Sequence, residues 1–188
     1  MAARPMARGS NVALTREIPS LRGVVLGVKL VSTERVLTDS LVVATILCDS
    51  SSKALSDDHF VFFNQLSSPE LSVQQLEQAV GEDTEQVEVD LGAVPTDVSR
   101  IVIVTYINEG NAARRSLGQL REVTIRVLNL ADNAVLVRSE NLATALSTET
   151  GLVLGELYRR GGGWKFKVIG QGYGNGIRAM AADFGVSL

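Results

Sequence analysis

Eight short runs rich in Val, Ile and Phe, at 24–28, 41–48, 60–63, 87–89, 101–107, 123–128, 135–138 and 164–169, are bounded by clusters of Ser, Asp, Asn or Gly. Such residues favour a pleated, half-buried surface and the bounding residues favour turns, so each run is expected to be a strand. Most of the stretches between them are too short for a crossover helix, which points to antiparallel pairing. The expected fold class is therefore all-β: a β-sandwich of two mostly antiparallel sheets with a few short helices, in preference to a barrel. With 188 residues, 45% of them hydrophobic, the chain suffices for one domain with a filled core and would be cramped as two.

Three segments break the strand pattern. Ser68, Pro69 and Glu70 supply an N-cap and a proline for a first helical turn, and Val73, Leu76 and Val80 then recur at helical spacing. One or two turns of helix are expected there. Residues 147–158 join a Ser/Thr-rich start to Leu152, Leu154 and Leu157 and end at Arg159, Arg160 and Gly161, so a helix is expected, with Gly151 and Gly155 leaving a strand open for the second half. At the carboxyl end Ile177, Met180, Ala181 and Phe184 mark one face of a helix that Gly185 should stop and a sheet should cover. Residues 1–10 lack an apolar segment behind their arginines and are expected to be a short flexible tail, leaving 11–188 as the domain. Residues 43–47 with Asp49 and a following strand echo 123–127 with Asp132, Asn133 and 135–137, the pattern of an internal pseudo-duplication.

The charge balance narrows the partners. Eighteen Lys and Arg against 21 Asp and Glu give a net charge of −3, so no basic excess is present to neutralise a nucleic-acid backbone. The apolar run at 41–47 falls far short of the ~18 residues of a membrane span, and no transmembrane segment is expected. The single cysteine, Cys48, excludes an intrachain disulfide and a Cys-pair zinc site and fits a reducing, cytoplasmic setting. Its place at the end of an apolar run marks it as a buried hydrophobe.

No motif assembles an active site. The one histidine, His59, follows Asp57 and Asp58, where a general base or metal ligand competes with a plain turn residue, and no nucleophile pattern accompanies it. Carboxylates gather at Asp49, Asp57 and Asp58 and again at Glu82, Asp83 and Glu85, two loops that together could offer oxygens to calcium, with Asn64 as an amide ligand. The glycines of 170–176 miss the spacing of a dinucleotide fingerprint and suit a tight connection that brings Tyr173 and the last helix onto a sheet. No catalytic residue is assigned, and the chain is not expected to be an enzyme.

A family resemblance emerges from the carboxyl end. Ser147-Thr148-Glu149-Thr150, Gly155-Glu156-Leu157-Tyr158-Arg159, Trp164-Lys165-Phe166 and Gly170-Gln171-Gly172-Tyr173 resemble the signature of the TerD family of tellurium-resistance and stress proteins. Residues 9–15 resemble its opening strand and 56–64 its central Ser-Asp-x-x-Phe-x-Phe-Tyr-Asn motif. Residues 85–91 with Val94-Pro95, then 117–119 with 124–127, continue the match in order over nearly the whole chain. The resemblance implies a sandwich of two similar halves and a non-enzymatic bacterial cytoplasmic protein. It further implies work alongside other Ter-family or paralogous proteins in the response to tellurite and other stresses. Typical members hold two calcium ions in acidic loops.

Here the chain departs from the family. The family's Asp-Leu-Asp is Ser40-Leu41-Val42, and in place of its Gly-Asp-Asn motif stands Leu76-Glu77-Gln78. Asp57, Asp58, Asn64, Asp83 and Glu85 remain as residual calcium ligands, so calcium binding is expected to be weak or lost, with no other cofactor. Leu41, Val42, Leu76 and Val80 in or near the former ligand loops offer apolar contacts either to the monomer's own core or to a homo-oligomer.

Overall fold

Alternation settles which way each strand faces. The computed structural model describes residues 5–108 and 115–187. Eleven strands are present there: β1 (Asn11–Val12), β2 (Gly23–Val31), β3 (Leu41–Cys48), β4 (Phe60–Val61), β5 (Val73–Gln75), β6 (Glu85–Asp90), β7 (Arg100–Ile107), β8 (Glu122–Asn129), β9 (Val135–Arg138), β10 (Gly151–Arg160) and β11 (Gly163–Tyr173). Helices α1 (Leu14–Glu17) and α2 (Arg35–Asp39) are a turn each, and α3 (Gly176–Phe184) is the one of nine residues. A six-stranded sheet runs β1-β11-β10-β7-β3-β4 and a five-stranded sheet runs β5-β6-β2-β8-β9, every pair antiparallel. Val24, Leu26 and Val28 of β2, Val87 and Val89 of β6 and Ile125 and Val127 of β8 meet Ile101 and Ile103 of β7 and Phe166 of β11 in the core between the sheets. This is the β-sandwich expected from the strand spacing.

The six-stranded sheet is covered on its second face as well. Val42, Ala44, Ile46 and Cys48 of β3 and Val102, Val104 and Tyr106 of β7 pack with Met180, Ala181 and Phe184 of α3, so β3 and β7 read as continuous apolar runs because both their faces are buried. Gly185, at φ 69°, ends α3 where the sequence placed its stop.

The runs β2-β3-β4 and β7-β8-β9 each send one strand to one sheet and the next two to the other. β2 lies in the five-stranded sheet while β3 and β4 lie opposite; β7 lies in the six-stranded sheet while β8 and β9 lie opposite. β3 pairs with β7 and β8 with β2, so the halves interlock, and the two echoing segments of sequence, 43–47 and 123–127, occupy equivalent places.

Two expectations need correction. Residues 68–80 form no helix: Ser68 Oγ accepts from the Val73 N–H at 3.1 Å, and Val73 and Gln75 pair with Val89 and Val87 on the edge of a sheet. The pairing there satisfies backbone groups that so short a helix would leave open. Residues 151–160 are a strand throughout, and the irregularity between Val153 and Gly155 explains the misleading spacing. Leu152 and Leu154 face the core, one extra residue intervenes, and Leu157 faces it again. A Cβ at Gly155 would lie 2.8 Å from the Lys167 carbonyl oxygen and from Phe166 Cζ, so only glycine fits the bulge. Residues 5–10 lie along the sandwich. The Met6 N–H donates to the Arg138 carbonyl at 2.7 Å, Arg8 Nη2 to that of Leu142 at 2.8 Å and the Gly9 N–H to that of Val168 at 2.8 Å. Residues 1–4 lie outside the described residues.

Candidate binding site at the mouth of the sandwich

The acidic loop before β6 lies against the outer face of the five-stranded sheet, and its charges are met from within the chain. Arg126 of β8 grips Asp83 through Nε at 2.8 and 3.0 Å and Nη2 at 2.8 Å, while Gln86 Nε2 donates to Asp83 Oδ2 at 2.8 Å. The Asp83 side chain is 1% exposed and that of Arg126 14%. Gly27 of β2 makes room for the clamp, since a Cβ there would lie 2.3 Å from Asp83 Oδ2. The hydrogen bond that Arg126 donates to Asp83 raises the Arg126 pKa against the opposing effect of burial. Beside them Arg138 Nη1 lies 2.7 Å from Glu82 Oε1 and Arg126 Nη1 3.5 Å, and the hydrogen bond from Arg138 holds Glu82 below the usual carboxylate range.

The first acidic cluster lies elsewhere. Asp57 Oδ1 accepts from the Ser187 N–H at 2.8 Å, tying the 3₁₀ turn at Asp57–His59 to the residues after α3. Ser56 Oγ caps that turn by accepting from the Asp58 N–H at 3.2 Å, and the Asp58 carboxylate is exposed. Asn64 is exposed in the tight turn closed by Phe62 and Gln65. His59 places Nδ1 2.7 Å from Ser56 Oγ and Nε2 3.2 Å from Glu70 Oε2, so it staples the turn to the 68–72 segment. Burial pushes the Glu70 carboxyl up, but hydrogen bonds from Ser72 and Ser68 and the nearby His59 outweigh it and leave the pKa lowered. Cys48 is fully buried under α3, and desolvation pushes its thiol up to about 12.

Glu85 is the candidate ligand that faces a hollow. Val87 and Val89 point into the core, and Glu85, two residues earlier on the same strand, shares their face at the open end of the sandwich. Gln75 stands likewise below Val73 on β5. Across from them are Leu41 and Val43 of β3, and Asp39, Ser40, Phe63 and Asn108 complete a hollow of about 260 Å³. Gln75 is 7% exposed and its Oε1 has no hydrogen-bond partner among the described residues. Burial raises the Glu85 pKa, and no cation or donor offsets it among the described residues. Arg115 comes near, donating from Nη1 to Ser40 Oγ at 3.1 Å, but it lines a separate hollow with Thr150 and Arg178 at the start of α3.

The five expected calcium ligands are thus dispersed. Asp83 is clamped by arginine, Asp57 and Asp58 share one turn, Asn64 lies in another and Glu85 sits at the mouth. No group of three His, Cys, Asp or Glu side chains suited to a metal converges among the described residues. No sequence motif singles out Gln75, Asp39 or Asn108, or the two arginines that neutralise the loop. The signal for Gln75 was its alternation with Val73.

Two interlocking halves forming an antiparallel sandwich, with acidic loops at its rim, define a β-sandwich of duplicated character. The TerD domain matches residues 1–184, and the chain belongs to the TerD family of tellurium-resistance and stress-response proteins. It is 35% identical over 190 residues to the tellurium resistance protein TerD of Serratia marcescens, covering 97% of each chain. It is equally 35% identical over 192 residues to general stress protein 16U of Bacillus subtilis, again covering 97% of each. A solved Streptomyces coelicolor homologue of telluride resistance protein shares the fold at a TM-score of 0.65 and 13% identity, over 86% of this chain and 96% of that one. No helix among the described residues is long and apolar enough to cross a membrane.

Proposed function

We propose that the chain is a non-catalytic, cytoplasmic component of a bacterial tellurite and general stress-response module, acting by binding other Ter-family or paralogous proteins. In this reading its calcium sites are degraded. The observation that carries it is the clamp on the acidic loop: Asp83 and Glu82, which a loop-bound cation would need, are neutralised by Arg126 and Arg138. A calcium ion would have to displace a guanidinium held by three hydrogen bonds and leave it buried beside a second positive charge.

Melting followed in millimolar calcium and in chelator tests the calcium half, with calorimetric titration alongside. A ligand that binds the native state at a hundred times its dissociation constant adds about 2.7 kcal/mol of stability, so a working site cannot escape notice. The midpoint is expected not to move, and a rise in calcium would refute the degraded site. Copurification from the native host tests the binding half. Retention of Ter-family chains is expected, and their absence would count against the role. Hydrolytic or tellurite-reducing turnover by the purified chain, abolished by a single substitution, would overturn the non-catalytic assignment.

A further inference from the structure

The hollow at the mouth of the sandwich is short of a positive charge. Among the described residues its two charged lining side chains, Asp39 and Glu85, are both carboxylates, Arg115 reaches only Ser40 Oγ at its edge, and the Gln75 carbonyl oxygen is buried without a donor. A buried polar atom left unpaired is costly, and such an atom beside an unpaired carboxylate marks a place where a donor belongs. The opposite wall is apolar, formed by Leu41 and Val43, and the Phe63 ring stands 53% exposed at the rim. A site for a bare hard cation would be lined with oxygens all round. Here one wall offers acceptors and the other offers contacts to methylenes.

Building on the binding role above, we propose that this hollow takes a primary alkylammonium group, the end of a lysine side chain or of a free diamine. The ammonium has three N–H donors and no acceptor, which suits Glu85, the Gln75 Oε1 and one of Asp39 or Asn108. Its methylenes lie along Leu41 and Val43, and Phe63 adds an aromatic face for the cation. At about 260 Å³ the hollow is smaller than most small-molecule pockets and fits a group of side-chain size.

Titration of the full chain, followed by amide chemical shifts and calorimetry, tests this with four probes: cadaverine, Nα-acetyl-lysine methylamide, tetramethylammonium and calcium chloride. Saturable binding of at least one primary-ammonium probe is expected, and the tighter of the two identifies the source of the group. Glu85→Gln and, separately, Gln75→Leu should each weaken it about tenfold, the loss expected for one hydrogen bond to a charged group. Glu88→Gln, on the other face of β6, should leave it unchanged. Tetramethylammonium, which has no donor, should not bind. Absence of saturation by either primary amine, or equal binding of tetramethylammonium, would overturn the proposal. Calcium binding abolished by Glu85→Gln would overturn it in favour of a metal site. If Glu85→Gln fails to fold, Gln75→Leu and Asp39→Asn carry the test. Failure with the amines leaves the copurification test of the binding role untouched, so the two can be separated.

Discussion

Replacing Arg126 with leucine isolates what the clamp on the acidic loop is worth. The substitution keeps an apolar stem over the sheet but removes all three guanidinium hydrogen bonds to Asp83. Asp83 is 1% exposed on its side chain, so water cannot replace them, and Gln86 is left as its single side-chain donor. Removing one partner of a buried pair costs about 3–5 kcal/mol, because the other charge stays desolvated. For a chain of this length about 1 kcal/mol shifts the melting midpoint by about 2–4 °C, so a fall of roughly 6–20 °C is expected. Glu82 loses only its longer contact at 3.5 Å and keeps Arg138 at 2.7 Å, so it adds little. Urea unfolding of the wild type, R126L, D83L and the double variant gives the coupling between the two residues. The double variant should recover most of the loss, since it buries no charge. A loss below about 1 kcal/mol in R126L, the value of a surface pair, would refute the clamp, as would a double variant no more stable than the single one.

Burial raises the Glu85 pKa in the folded state, so its contribution to stability is full below the unfolded value and is lost as pH rises through the folded one. Glu85→Gln should therefore gain in melting midpoint over the wild type as pH rises from about 4 to 7; a difference that does not vary with pH would show that the carboxylate is not desolvated. Cys48, with its thiol pushed up to about 12 under α3, should resist iodoacetamide in the native protein and label only on unfolding, as mass spectrometry would show. Val80 is 71% exposed, so Val80→Asp should change the melting midpoint by no more than about 2 °C, within the usual range of surface substitutions. If light scattering finds an oligomer that this variant dissolves, Val80 belongs to its interface; a variant that unfolds instead would place Val80 in the core.

The two-sheet architecture was legible because it rests on local signals. Runs such as 101–107 and 123–128 are apolar, β-branched and bounded by turn residues, and tertiary packing only reinforces them. Where two local signals conflicted, packing decided. Ser68-Pro69-Glu70 carries good helix-start chemistry, yet Val73 bonds back to Ser68 and joins a sheet edge, because a free edge on β6 was available to satisfy its backbone. In 152–157 the bulge at Val153/Gly155 shifts the inward residues out of period two, and a spacing of two and then three mimics neither a clean strand nor a clean helix. Composition cannot announce such an insertion, because it depends on how Gly155 meets Phe166 and the Lys167 carbonyl on the neighbouring strand.

The site was less legible than the fold for a related reason. The sequence shows the acidic loop as a local cluster and invites a cation, but the charges that answer it lie far along the chain: Arg126 is 43 residues from Asp83, and Arg138 is 56 residues from Glu82. β8 and β9 bring them to the same face only because the second half of the chain crosses over to the sheet of the first. By contrast, the inward direction of Glu85 and Gln75 follows from alternation with Val87 and Val73, a period-two pattern that by itself puts both on the core face. What alternation cannot supply is the opposite wall. Leu41 and Val43 make the mouth a half-apolar hollow, which appears only when β3 is laid across from β5 and β6. On the reading proposed above, such a wall suits a cation that carries methylenes. The contrast between calcium and a primary amine is therefore the decisive comparison at Glu85.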